Sequence, residues 1–216
     1  MIKYSSLLFF IFIFLTESVN AQSILDSALV NKEFLSLDEA LKNPQNVFRL
    51  NLSNQHIEFS DTVWSNFPNL QYLSLKNDHL KQIPEGVGSL KNLKVLDLSG
   101  NDFNVLPSTF KNLTNLQELF LNDEKYFDFE KSIPVLSTLP NLKSLHLKYD
   151  GLESLPKEIS RLIYIETLYL NNNHFKQVPI ELEGMENLQF IDFHDNTFKL
   201  PTQDILDQNL GFKIRF

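Results

Sequence analysis

The chain has 216 residues, 43% of them hydrophobic and 21% charged, with a formal net charge of -8. Those values exclude a disordered chain and fit one or two globular domains. Both signs of charge are interspersed without a basic run, which argues against nucleic acid or an anionic membrane surface as partner.

Residues 1–21 read as a secretory signal peptide. Lys3 supplies the positive start, Leu7–Leu15 is an unbroken apolar run, and Val19-Asn20-Ala21 places small residues where a peptidase cuts, after Ala21. The run is half of the ~20 apolar residues a bilayer-spanning helix needs. The expectation is a secreted or periplasmic protein with no membrane insertion once the signal is cleaved. Cysteine is absent, so the core must hold without disulfides and no lipid-modified Cys is possible.

Residues 22–46 are expected to form an N-terminal helical cap. Ser36 and Glu39 fit a capping box, Leu37, Ala40 and Leu41 share one helical face, and Pro44 ends the helix. Seven repeats follow over 47–198, starting at Val47, Leu70, Leu93, Leu116, Leu142, Ile165 and Leu188. They step by 23 residues except from Leu116 to Leu142, which is 26. In the cleanest unit, 93–115, Leu96 and Leu98 alternate with Val95, Asp97 and Ser99, the period of a strand with one buried face. Phe103, Leu106, Phe110 and Leu113 then allow only a short helical return. A single unit cannot bury its apolar side, whereas units stacked in register can. Parallel strands about 4.8 Å apart with right-handed returns are the consequence. Two apolar columns run through all units, Leu50 to Ile191 and Leu52 to Phe193. A polar ladder is partial: Asn101, Asn173 and Asn196 keep the amide, while Gln55, Asp78, Glu124 and Asp150 replace it. Residues 199–216 are read as a C-terminal cap with a truncated eighth strand, Ile214 and Phe216 continuing the columns and Lys213 and Arg215 discouraging further pairing.

With seven such LxxLxLxx(N)xL units and the LPxxIxxL half seen at Leu155, the chain resembles the leucine-rich repeat family over roughly residues 47–200. The resemblance implies an α/β fold: a right-handed solenoid with a curved parallel sheet of about eight strands and short helical or irregular returns. The absence of cysteine-rich caps makes it similar to secreted bacterial members, and the family typically binds macromolecules on the concave sheet.

No nucleophile motif, phosphate loop or dinucleotide fingerprint occurs, so the chain is read as no enzyme, with no cofactor and no metal. His56 and His79 fall about 5 Å apart on adjacent rungs, but two histidines without a third ligand make a poor metal site. The expected site is a protein-binding face on the concave side: Tyr72, Asp97, Phe120, His146, Tyr169, Phe190 and Asp192, centred on the aromatic row. Aromatics on a rigid surface are frequent hot spots, although cross-strand aromatic packing explains the same row without any partner. The function expected is a secreted or periplasmic module for a protein ligand of unknown identity. The alternative is a structural envelope or adhesion component acting through lateral or convex contacts. The three extra residues fall in the return over Asp123–Ile133, with Tyr126 expected to turn inward and Phe127 and Phe129 either packed beneath the return or partly exposed.

Overall fold

The computed structural model describes residue 27 and residues 29–56, 58–198 and 211–216. The signal segment and residues 199–210 of the C-terminal cap lie outside the described residues.

Alternation of apolar and polar residues over only three positions per repeat produces short strands. They are β1 (Glu33–Phe34), β2 (Arg49–Asn51), β3 (Tyr72–Ser74), β4 (Val95–Asp97), β5 (Glu118–Phe120), β6 (Ser144–His146), β7 (Thr167–Tyr169), β8 (Phe190–Asp192) and β9 (Lys213–Arg215). All nine are parallel and lie in chain order in one curved, open sheet. Register pairs follow the repeat: Leu50 faces Leu73, Leu73 faces Leu96 and Leu96 faces Leu119, while the longer step places Leu119 beside Leu145. The sheet has one strand more than expected, because β1 adds a rung before the first repeat and buries Phe34. At the far end Ile214 pairs with Ile191.

The helix after β1, α1, is only Leu37–Ala40. Ser36 caps it by accepting from the Glu39 N–H, but the Glu39 carboxylate turns to Lys32 at 3.2 Å instead of closing a reciprocal box. Ala40 is buried, whereas Leu41 stands exposed at the C-cap, against the expectation that it shares the inner face; four residues are too few to bring it round.

Two leucine columns fill the interior, and Leu50, Leu73, Leu96, Leu119, Leu145 and Leu168 are fully buried. Five returns are 3-10 turns of five or six residues, such as Ser108–Asn112. The longer repeat differs. Its three additional residues permit a true helix, α2 (Phe129–Leu136), capped by Asp128, which accepts from the Lys131 N–H at 3.0 Å. Phe129, Ile133 and Leu136 are buried and Phe127 packs edge-on against Phe103 at 5.6 Å, so both phenylalanines lie beneath the return. Tyr126 does not turn inward: it is 61% exposed. The inserted residues shift the chain so that Phe127, one position later, meets the apolar column.

Polar ladders close both edges. Asn101 accepts from the N–H groups of Asp78 and Leu80 and donates to the carbonyls of Leu75 and Leu98. Asn173 repeats all four bonds one half-solenoid later. On the opposite edge, Asn69, Asn92, Asn115, Asn141 and Asn187 each donate to a carbonyl of the preceding rung. This second ladder is also periodic in the sequence, just before the residue that opens a repeat and interrupted at Tyr164, and the leucine pattern masks it. Both ladders satisfy backbone groups that the turning chain would otherwise bury unpaired.

Candidate functional site

Strand alternation turns the residues either side of each buried leucine to the open face of the sheet. On β5 to β8 that face carries a continuous row of rings. The His146 imidazole stacks on Phe120 at 3.9 Å and on Tyr169 at 4.1 Å, nearly parallel to the latter, and Phe190 meets Tyr169 edge-on at 6.1 Å. The parallel register makes the stack, since Phe120 is the partner of His146 and His146 of Tyr169. The rings are not freely exposed. Phe120, Tyr169 and Phe190 are half-buried, and His146 is only 5% exposed because its neighbours cover both its faces.

The His146 Nε2 lies 2.8 Å from the Glu118 carboxylate, and its Nδ1 is buried without a partner. Burial, with Lys148 acting in the same direction, pushes the imidazole pKa down to about 3. The bare Nδ1 agrees with a neutral ring, since protonation would bury an N–H with nothing to accept it. Burial also raises the Glu118 pKa.

The remaining expected residues spread along the same face. Asp97 is the register partner of Phe120 and accepts from the Ser99 N–H at 3.0 Å. Asp192, beside Tyr169 in the register, is buried and held by His194 Nδ1 at 2.6 Å, with Arg215 at 3.6 Å. Tyr72 sits apart on β3, under the Arg49 guanidinium at 4.1 Å. Burial followed by the Asp97 charge raises its phenol pKa. His56 and His79 meet edge-on at 4.7 Å, and His79 reaches Asp102 at 3.3 Å. Among the described residues no group of three or more His, Cys, Asp or Glu could hold a metal ion.

A feature absent from the sequence reading lies along the rim where the strands end. Each rung turns there through a left-handed residue: Asn54, Asn77, Gly100, Asp123, Tyr149, Asn172 and Asp195. Asn, Asp and Gly suit that geometry, whereas a bulky side chain does not. Tyr149, at φ 62°, is the exception and is 61% exposed. Lys76, Asn77, Ser99, Gly100, Asn122, Asp123, Lys148 and Tyr149 enclose a hollow of about 440 Å³ at this rim. Lys148 joins it to the aromatic row, its ammonium standing 4.8 Å from the centre of the Tyr169 ring. The signal was present as a bulky residue in a column of Asn, Asp and Gly, but that column has meaning only once its backbone angle is known.

Residues 46–144 match the family model for a leucine-rich repeat region. The fold is that of leucine-rich repeat proteins, and the family model covers a little under half of the chain. A leucine-rich repeat protein of Leptospira interrogans is similar at 28% identity, over 85% of this chain and 54% of that one, with a TM-score of 0.57. An internalin of Listeria monocytogenes is similar in fold at 17% identity, over 82% of this chain and 49% of that one, TM-score 0.59. So is the Drosophila Toll–Spatzle complex, at 16% identity over 74% of this chain and 22% of that one, TM-score 0.64. This chain therefore spans about half the length of the first two. No curated protein sequence matches significantly. The fold typically serves protein interaction. No helix among the described residues is long and apolar enough to cross a membrane.

Proposed function

We propose that this protein is an exported, non-enzymatic binding module that holds a protein ligand on the concave face of its sheet. The observation that carries the reading is the joined surface of the Phe120–His146–Tyr169–Phe190 row and the Lys148–Tyr149 rim. Self-stacking holds the rings in place before any ligand arrives, so little side-chain entropy remains to be lost on binding. Half-buried aromatics of this kind are the residues expected as hot spots. With two outward residues on each of seven repeat strands and a third just past its end, the face offers about 21 positions, enough for one standard interface. The Toll–Spatzle structure is a solenoid of this fold in a complex. Export, after cleavage behind Ala21, rests on the apolar run Leu7–Leu15.

The test is a crosslinking pull-down from envelope and secreted fractions with residues 22–216 as bait. A second bait carries Phe120→Ala and Tyr169→Ala, with folding verified by circular dichroism. A protein held by the first bait and lost from the second supports the concave face; equal capture by both baits removes the site from it.

A further inference from the structure

The edge ladder is built from two chemistries. At the amide rungs, Asn101 and Asn173 each use Oδ1 to accept two backbone N–H groups and Nδ2 to donate to two carbonyls. Between them stand Glu124 and Asp150, which keep part of the accepting half. Glu124 Oε1 accepts from the Asn101 N–H at 3.2 Å, and Asp150 Oδ1 from the Glu124 N–H at 2.8 Å. Their other oxygens, Glu124 Oε2 and Asp150 Oδ2, are buried with no partner. Glu124 and Asp150 hold the repeat position of that Asn, whose amide at Asn101 and Asn173 points to carbonyl oxygens of its own and the preceding rung. The equivalent carbonyls are Leu98 and Leu121 for Glu124, and Leu121 and Leu147 for Asp150. An ionised carboxylate there would set lone pairs against lone pairs, and the Leu121 carbonyl would face two of them. A protonated carboxyl supplies the missing donor.

We propose that Glu124 and Asp150 stand in the ladder as neutral carboxylic acids, each donating its O–H to a rung carbonyl in place of an Asn amide, so that the junction at the longer repeat is tight in acid and loosens in base. The surroundings act in the same sense. The charged groups bearing on Glu124 are Asp150, Asp123 and Asp102, all acidic, and the one bearing on Asp150 is Asp123. Burial, assisted by these charges, raises Glu124 to about 9 and Asp150 to about 8. Asp78 occupies the same kind of position, also with a buried bare oxygen, and burial raises it too, but His56 and His79 oppose that rise. No cation is among the charges acting on Glu124 or Asp150.

Folded pKa values above the unfolded ones mean that the native state holds protons the unfolded chain releases. The stabilisation is complete below the unfolded values and is lost as pH climbs from there through about 8 and about 9. In the middle of that window two protons are linked to folding, so the folding constant falls by up to ~100-fold per pH unit from this pair alone.

The experiment compares urea unfolding of the wild-type protein with that of Glu124→Gln/Asp150→Asn, between about pH 5 and about pH 8. The amides restore a permanent donor and carry no charge. The double variant should lose about two protons of pH linkage and gain stability most at the alkaline end. Identical slopes, or a variant weakened at every pH, overturn the proposal. Difference infrared spectroscopy gives a second reading on the wild type itself. A protonated-carboxyl carbonyl band should be present at neutral pH and titrate away in base, and no such band at neutral pH overturns the proposal whether or not the variant folds.

Discussion

The Asn101 rung and the Glu124 rung are neighbours with the same leucine columns beneath them, and they solve one problem differently. Both must satisfy backbone groups where the chain leaves the sheet. The amide does so at any pH, because it carries an acceptor and two donors without charge. The carboxyl does so only with a proton attached. A repeat position is therefore defined by the bonds it must make, and residue types that look equivalent in a sequence column differ in the conditions under which they make them.

The largest expected effects lie below both rungs and should be alike. Leu98→Ala and Leu121→Ala each remove a fully buried side chain and should cost about 2–5 kcal/mol in urea melts through lost burial and a cavity. A cost under about 1 kcal/mol at either position would deny that the columns are packed as described. The contrast between rungs should emerge one layer out. Asn101→Ala deletes two accepted and two donated bonds and should cost on the order of 3 kcal/mol. Glu124→Ala removes a group that carries its own desolvation cost and should lose about 1 kcal/mol at neutral pH, with the gap between the two variants narrowing in acid, where the protonated carboxyl contributes most, and widening in base. Equal losses at all pH values would erase the distinction.

His146 provides a control of opposite sign. Its folded pKa, about 3, lies below the ordinary 6.5. The native state therefore binds fewer protons there than the unfolded chain, and the associated stability is present above about 6.5 and lost as pH falls toward about 3. His146→Phe should keep a ring between Phe120 and Tyr169 while removing that acid-side loss, as read by thermal melts across the same range. The smallest effect is expected at the rim. Tyr149→Asn relieves a bulky residue at φ 62° and should stabilise by about 1 kcal/mol, while weakening ligand capture if Tyr149 belongs to the binding surface.

Much of this architecture was legible in the sequence because a solenoid makes long-range order out of local periodicity. Leu73 finds Leu96 because both occupy the same place in the repeat, so one unit predicts its neighbours. The candidate face followed from strand alternation, which told Phe120, His146, Tyr169 and Phe190 apart from the leucines between them. What alternation could not supply was their mutual contact. His146 reads as one more surface ring until the register slides it between two others, and its burial and neutrality come from that sandwich.

The exceptions are where periodicity is broken or where chemistry depends on surroundings. Tyr126 was assigned inward by counting; the structure places Phe127 there, because inserted residues shift the chain before α2 begins and counting is valid only at constant repeat length. Burial of Leu41 failed for a related reason, a helix too short to carry its face round. The sequence by itself determined the columns, the parallel stacking and the direction in which each strand residue points, since these follow from a local pattern repeated. Only the tertiary structure decided which rings stack, which residue bears a left-handed backbone, and which carboxyls lie buried without a partner, because these depend on distances between rungs that no single repeat contains.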